Sequence, residues 1–214
     1  MTRGRAVLYS LIAIAGMVAY GAWVYPALPD RLPTHWNFGG EPDAWSPKGI
    51  ALAMAPGMGV LFLLMLVLLP LLSREQLGRQ PLHGTFNTIM VLLQGLAVFI
   101  HAITIHAGLN EGLDVSRVLI AGICLLLAAM GNLMGRTRRN GVVGFRTPWT
   151  LANDLVWRQT HRLGGRLMVG VGLAAGLGVL VGLPPAVAFF AVMAATLWPC
   201  VYSYLLYRRL ESEG

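Results

Sequence analysis

Long uncharged stretches dominate the pattern of this chain. Residues 6–29, 49–73, 80–110, 118–135 and 167–207 contain no Asp, Glu, Lys or Arg. A helix needs about 20 apolar residues to cross a membrane, so the first four stretches each predict one spanning helix, at 6–24, 50–72, 85–107 and 118–135. The fifth stretch is too long for one helix. The paired prolines in Gly182-Leu183-Pro184-Pro185 divide it, because proline disrupts a helix interior. The pattern therefore predicts six transmembrane helices.

Composition supports a membrane protein and excludes most other classes. The 214 residues are 56% hydrophobic and only 12% charged, whereas a soluble domain carries about 25% charged residues. This excludes a soluble globular domain, a disordered chain and a coiled coil. We predict an all-α, multi-pass protein of the cell membrane that forms one integral domain over 1–214. A two-span part over 1–83 would precede a four-span part over 84–214.

Basic residues divide unequally between the two ends of the predicted helices. Thirteen fall on the side of the termini and three on the other, which under the positive-inside rule makes both termini cytoplasmic. The larger set comprises Arg3, Arg5, Arg74, Arg79, Arg136, Arg138, Arg139, Arg146, Arg158, Arg162, Arg166, Arg208 and Arg209, and the smaller set Arg31, Lys48 and Arg117. Loop 26–49 is then external and loop 136–166 internal.

The predicted outer loop, 26–49, has the composition of an ordered segment. Its prolines and the Gly39-Gly40 pair preclude a long helix, yet it is rich in aromatic and acidic residues. Either the loop is an interfacial anchor, or it is a docking surface for a cationic or amphipathic peptide that arrives from outside. The candidate peptide-binding residues are Asp30, His35, Trp36, Asn37, Asp43 and Trp45.

Histidines near the predicted outer surface raise the alternative of a metal site. His101 and His106 lie close to the outer end of the third helix, and His35, Asp43 and Glu111 could complete a set of ligands. A spacing of five places the two helical histidines about 140° apart, unlike the one-face i, i+4 spacing of a metal pair. We therefore expect hydrogen-bonded interfacial histidines and no metal or other cofactor.

The predicted inner loop, 136–166, carries most of the arginines. Asn140-Gly141 and Gly144 suit turns, and Thr147-Pro148 suits a helix start. Apolar and polar residues then alternate as in a short amphipathic helix on the cytoplasmic leaflet, ending near Gly164. The arginines could simply bind the headgroups of anionic lipids. Alternatively, their planar guanidinium groups and the polar residues around them could form an ordered surface that binds a partner.

Small-residue spacings predict where helices approach closely. Gly131 with Gly135, Gly172 with Gly176 and Gly178 with Gly182 each stand four apart. Such pairs allow two helix backbones to touch. We expect at least one pair to mark a contact between helices of this chain.

Two motifs resemble a known family. The inner one reads GNLMGR at 131–136, Asn140, GFRTPWT at 144–150, VW at 156–157 and THRLGG at 160–165, and is similar to the SdpI family signature. The outer one reads LPDRLPTHWN at 28–37 and GEPD at 40–43, with Lys48, and resembles the N-terminal membrane domain of unknown function that accompanies it. The inner candidates for partner binding are Asn132, Arg136, Asn140, Arg146, Thr147, Trp149, Trp157, Thr160, His161 and Arg162.

The resemblance implies a bacterial inner-membrane immunity protein. Such a protein gives resistance to a secreted membrane-active killing peptide, and the best-known member also holds a transcriptional repressor at the membrane. The expected partners are thus the peptide outside, a cytoplasmic repressor and anionic lipid, with no direct contact to nucleic acid. Two alternatives remain open: a metal-dependent peptidase that destroys the peptide, and a small transporter. The sequence has no HExxH motif, nucleophile elbow or phosphate-binding loop, and we do not expect an enzyme.

Overall fold

Six long helices form the protein in a computed structural model that describes residues 1–72, 80–109, 112 and 114–213. Arg74, Arg79 and Glu111, which entered the predictions above, lie outside these residues. In chain order the elements are α1 (Arg3–Val24), a 3₁₀ turn (Tyr25–Ala27), β1 (Arg31–Trp36), β2 (Pro42–Pro47), α2 (Lys48–Leu72), α3 (Gln80–Leu109), α4 (Val115–Met134), α5 (Pro148–Ala152), α6 (Asp154–Leu180) and α7 (Pro185–Glu213).

The prediction of six membrane-spanning helices is confirmed. All helices except α5 are long and apolar enough to cross a bilayer, which makes six within the described ranges. The predicted break between the last two spans is also present, and Gly182 there adopts φ +116°, a conformation that favours glycine. The chain is therefore a multi-pass membrane protein. Which end faces the cytoplasm stays a prediction.

Polar side chains at seven-residue intervals on α3 face α1 and α2. His101 Nε2 donates to the Met17 carbonyl of α1 (2.9 Å), and Asn87 Nδ2 donates to the Met1 carbonyl (3.2 Å). Between them, Gln94 is 2% exposed and packs over Gly59 of α2. Hydrogen bonds between helices help to fix their pairing within a bilayer, so the bonds of Asn87 and His101 help to fix α3 against the N-terminal segment, while Gln94 contacts α2 by packing.

Glycines bring the backbones of α4 and α6 into direct contact. A Cβ added at Gly131 would lie 2.9 Å from the Gly165 carbonyl oxygen, and one at Gly165 would lie 2.7 Å from the Gly131 carbonyl oxygen. Further along, a Cβ at Gly172 would lie 2.8 Å from the Cys124 carbonyl oxygen. The expectation that small residues mark an intramolecular helix contact is therefore confirmed.

A two-stranded antiparallel sheet occupies the loop between α1 and α2. Strands β1 and β2 pair from Arg31 with Pro47 to Trp36 with Pro42, with irregularities around His35. Leu32 of β1 is fully buried and packs in one cluster with Val24, Leu28, Leu52 and Ile105. The predicted all-α class holds for the spans, and the loop is ordered as expected, but the sequence did not predict its strands.

The predicted amphipathic helix differs in extent from what the structure contains. The helix begins at Pro148 as expected but ends after five residues at Ala152. Asn153 then adopts an extended conformation, and its side chain accepts hydrogen bonds from Leu155 and Val156, which starts α6 anew. Residues 154–164 are thus the first turns of the fifth span. The prediction that the short helix lies on the cytoplasmic leaflet remains untested.

Candidate functional site

The β-hairpin caps one end of the bundle, here called the hairpin end. His35 of β1 and Asp43 of β2 face each other, and His35 Nδ1 lies 2.5 Å from Asp43 Oδ1. Both side chains are exposed, and Trp45 is 49% exposed beside them. An imidazole, a carboxylate and an indole therefore form one accessible surface on the hairpin.

The hairpin is anchored to the helices at its turn. Asn37 Oδ1 accepts hydrogen bonds from the backbone N–H groups of Gly39 (2.9 Å) and Glu41 (3.1 Å). The Asn37 carbonyl accepts from Ser116 Oγ of α4 (2.6 Å). Phe38 lies against Phe189 of α7, with ring centroids 5.5 Å apart. The Asn37 side chain is thus engaged in forming the turn, while Asp30 is exposed and lies 3.6 Å from Lys48 Nζ.

Asp114 begins helix α4 beside this anchor. Its carboxylate accepts from the Arg117 backbone N–H (3.0 Å) and from Arg117 Nε (3.0 Å). The backbone hydrogen bond, followed by the side-chain interaction with Arg117, lowers the pKa of the Asp114 carboxyl. The Arg117 guanidinium also donates to the Val179 carbonyl of α6, which ties α4 to α6 at this end.

A groove of about 250 Å³ opens under the hairpin. Its polar rim is formed by Thr34, His35 and Thr104, and its floor is apolar. The floor residues come from α2, α3 and α4: Ala51, Met54, Ala55, Ile100, Ile103 and Leu119. Trp36 also lines it. The groove can accept an apolar side chain whose backbone remains near the polar rim.

The histidines proposed as metal ligands are not brought together. His35 pairs with Asp43 on the exposed hairpin, while His101 is buried in the bundle. Within the described ranges, no group of three His, Cys, Asp or Glu side chains could hold a metal ion. The separate positions of His35 and His101 therefore give no support to a peptidase built on them.

Hydrogen bonds within the 136–153 segment order the other end of the bundle, here called the arginine end. Asn140 Oδ1 accepts from the backbone N–H groups of Val142 (2.8 Å) and Val143 (2.7 Å). Thr147 and Thr150 form a reciprocal capping box on α5. Thr147 Oγ1 also contacts Ser203 Oγ of α7 (2.9 Å). The arginines of this segment therefore project from an ordered scaffold.

A buried tryptophan–histidine pair forms the centre of that scaffold. The rings of Trp157 and His161 stack with centroids 4.0 Å apart, and each residue is 1% exposed. The Phe145 backbone N–H donates to His161 Nε2 (2.9 Å), so Nε2 is the acceptor and Nδ1 carries the proton. Nδ1 then donates to the Trp157 carbonyl (2.8 Å), while Trp157 Nε1 donates to the Thr137 carbonyl (2.9 Å).

The predicted inner-loop residues fall into two groups: residues that build the scaffold, and residues that are exposed or partly exposed on it. Asn140, Thr147 and Trp157 hold the scaffold through the hydrogen bonds above. Thr160 and His161 are buried with Trp157. The exposed residues of the set are Asn132, Arg136, Arg146 and Arg162, and Trp149 is partly exposed against Tyr204.

Five arginines surround a cavity of about 480 Å³ above the tryptophan–histidine pair. They are Arg136, Arg138, Arg139, Arg158 and Arg162. Arg139 pairs with Asp154 (2.9 Å) and donates to the Leu151 carbonyl (3.0 Å). In the part of the chain that the structure describes, the other four make no ion pair with a carboxylate. The cavity is therefore strongly cationic, which makes it suited to anions.

Sequence reasoning missed several residues that build these two ends. Ser116 and Phe38 anchor the hairpin over distances in sequence that no local pattern reveals. Gly144, with φ +120°, was identified only as a turn residue. A Cβ at Gly144 would overlap His161 Nε2, so its glycine identity is needed for the buried pair. That role depends on how the turn around Gly144 packs against His161 of α6, which the sequence alone does not give.

Six apolar spans, an ordered hairpin at one end and an arginine-rich scaffold at the other define a multi-pass membrane protein with two polar terminal surfaces. Residues 136–203 match the SdpI/YfhL protein family, and residues 12–60 match a domain of unknown function, DUF1648. These two matches confirm the resemblance noted from the motifs.

A curated relative matches over most of the chain. The Immunity protein SdpI of Bacillus subtilis (strain 168) is 26% identical over 149 residues, which cover 70% of this chain and 69% of that protein. No solved structure matches the chain significantly.

Proposed function

We propose that this chain is a membrane immunity protein that protects the cell in which it is made against a secreted membrane-active peptide. The observation that carries the proposal is the similarity to the Immunity protein SdpI over 70% of the chain, together with an exposed, ordered surface at the hairpin end. The His35–Asp43 pair supplies polar contacts, and the groove beneath accepts an apolar side chain.

The chemistry of this surface fits a peptide that is both cationic and apolar. Asp43 and Glu41 are exposed on the hairpin and attract basic residues. An apolar residue of the peptide would enter the groove between β1 and helices α2 and α3. Tryptophan side chains often dominate the energetics of such interfaces, and Trp45 is the exposed tryptophan of the hairpin.

Survival of cells that make the protein tests this proposal. A sensitive bacterial strain that expresses the chain is exposed to a panel of purified, secreted membrane-active peptides, and growth is compared with that of the parent strain. We expect protection against at least one cationic, apolar member. Equal killing of both strains by every peptide, with the protein present in the membrane, would contradict the immunity role.

Substitutions in the hairpin should reduce that protection without removing the protein. We expect Trp45→Ala and Asp43→Asn each to increase peptide sensitivity about tenfold, because each removes one contact of about 1.4 kcal/mol. The measurement is the inhibitory peptide concentration at equal protein abundance. Trp23→Ala is the matched control, since Trp23 is 77% exposed at the same end of the bundle but outside the hairpin. An equal effect of Trp23→Ala would argue against a hairpin site.

We further propose that the arginine end binds a cytoplasmic transcriptional repressor. The observation that favours this role is that exposed arginines project from a scaffold ordered by its own hydrogen bonds. Arg146 and Trp149 flank the start of α5. Arg146 is exposed and Trp149 partly exposed, and arginine and tryptophan are both enriched where proteins bind one another.

A reporter behind the promoter of the chain's own gene separates signalling from protection. We expect Arg146→Ala to abolish induction by the peptide while peptide resistance remains, because Arg146 lies far from the hairpin. Arg208→Ala, at an exposed arginine of α7 near the same end, should leave induction unchanged. Full induction in the Arg146→Ala variant would show that Arg146 is not part of the surface that binds the repressor.

A further inference from the structure

We infer that the arginine end contains a specific binding site for one anionic phospholipid molecule. Beside the arginine-lined cavity lies a second cavity of about 410 Å³, between α4 and α6. The two cavities share Gly135 and Arg162 as lining residues. The arginine-lined cavity, here called the chamber, therefore continues into the second cavity, which is a groove between the membrane-spanning helices α4 and α6 and is distinct from the groove under the hairpin.

The chamber has the chemistry to bind a phosphate group. Arg136, Arg138, Arg158 and Arg162 line it, and none of them pairs with a carboxylate among the described residues. Like charges around one cavity repel, and a bound anion removes that repulsion. Guanidinium groups bind phosphate oxygens through paired N–H donors. The N–H groups of Trp157 and His161 already donate to backbone carbonyls, and Asp154, which also lines the cavity, pairs with Arg139, so the other four arginines are the donors for a phosphate.

The groove has the shape to hold an acyl chain. Gly131 and Gly165 form its floor where the two helix backbones touch, and Val169 and Gly170 extend it along α6. Around Gly135 and Gly170, no heavy atom of the described neighbouring residues lies within 4 Å of an added Cβ. From Arg162 to Gly170 the groove runs about 12 Å along α6. This length is comparable to the thickness of one leaflet of the hydrocarbon core, about 15 Å.

An anionic phospholipid can occupy both cavities at once, with its phosphate in the chamber and an acyl chain in the groove. Arg162 and Arg166 lie in the N-terminal half of the helix Asp154–Leu180, which is long enough to span a membrane, and both border the groove. Arginine near the end of a span extends towards phosphate at the interface. A soluble anion or an acidic peptide would use the chamber alone and leave the groove open. The continuity of charge and groove therefore favours a lipid.

Titration of the purified full chain tests the site. The protein in neutral detergent receives dioleoyl phosphatidylglycerol, dioleoyl phosphatidylcholine or glycerol 3-phosphate, and bound molecules are counted by native mass spectrometry. We expect one phosphatidylglycerol to bind about tenfold more tightly than phosphatidylcholine, because the arginines favour the lipid with net negative charge. Glycerol 3-phosphate should bind much more weakly than either lipid. Equal binding of the two lipids would overturn the proposal.

Two variants separate the contributions of the chamber and the groove. The double variant Arg158→Gln/Arg162→Gln should lose the preference for phosphatidylglycerol, whereas Arg208→Gln, outside the cavity, should keep it. Gly170→Leu should weaken lipid binding without unfolding the protein, because the added side chain fills open space. Gly95→Leu on α3, with equally open surroundings, is its control.

Three other results would overturn the inference. An equal loss in Arg208→Gln would show general electrostatic attraction of lipid to the arginine end. Binding of phosphatidylglycerol unaffected by Gly170→Leu would show that the groove takes no part. Glycerol 3-phosphate that binds as tightly as the lipid would identify the site as one for soluble phosphate esters.

Discussion

Replacing Gly165 with leucine is expected to separate α4 from α6 and unfold the C-terminal half of the bundle. A Cβ there would lie 2.7 Å from the Gly131 carbonyl oxygen, and a backbone atom cannot move aside without shifting the whole helix. Overpacking costs typically 1–3 kcal/mol even where side chains can adjust, so we expect a loss of more than about 3 kcal/mol. Fluorescence-detected size-exclusion chromatography after stepwise heating measures this loss.

The same helix provides the control for this prediction. Gly170 lies on α6 as well, but its position has open space where a Cβ would be added. Gly170→Leu should therefore keep a melting temperature close to that of the unchanged protein, while Gly165→Leu aggregates or elutes in the void volume. Equal stability of the two variants would contradict the close contact between α4 and α6.

The spanning helices could be predicted from the sequence because the bilayer fixes their length and polarity. A helix in hydrocarbon must satisfy its own backbone and present apolar side chains, so each span leaves a long uncharged stretch. The break at Pro184-Pro185 was equally clear, since two prolines cannot continue a helix. These constraints act locally, and a local pattern can therefore reveal them.

The hairpin could not be predicted in the same way. Its strands are short, and proline occurs in both of them, at Pro33 and at Pro42 and Pro47, which weakens any strand pattern. Its stability comes from contacts distant in sequence, such as the bond from Ser116 to the Asn37 carbonyl. The sequence indicated an ordered loop through its prolines and aromatic residues, but not the pairing.

The candidate sites were predictable as regions but not in their inner organisation. The arginine run and the helix start at Thr147-Pro148 identified the 136–166 segment. Residue type alone did not separate exposed Arg146 from His161, which is 1% exposed. Burial depends on how the segment folds over α6 and α7, and that depends on packing between elements. The groove under the hairpin likewise arises only when α2, α3 and α4 meet.

Replacing Gly144 with alanine is expected to dismantle the scaffold of the arginine end. Gly144 has φ +120°, and an added Cβ would overlap the His161 ring at Nε2. The ring would have to leave its hydrogen bond with the Phe145 N–H and its stacking on Trp157. Backbone strain of about 1–3 kcal/mol and the lost buried hydrogen bond of about 1–3 kcal/mol give an expected cost of roughly 2–6 kcal/mol. Thermal unfolding of the purified variant measures it.

Gly182→Ala separates the two parts of this cost. Gly182 has φ +116°, but no heavy atom of the described neighbouring residues lies within 4 Å of an added Cβ, so this variant carries the backbone strain alone. Gly144→Ala should be the more destabilised of the two. The double variant Gly144→Ala/His161→Ala should then be less destabilised than the sum of its single changes, because the small side chain at 161 removes the clash. Simple additivity would mean that the buried histidine is not what Gly144 accommodates.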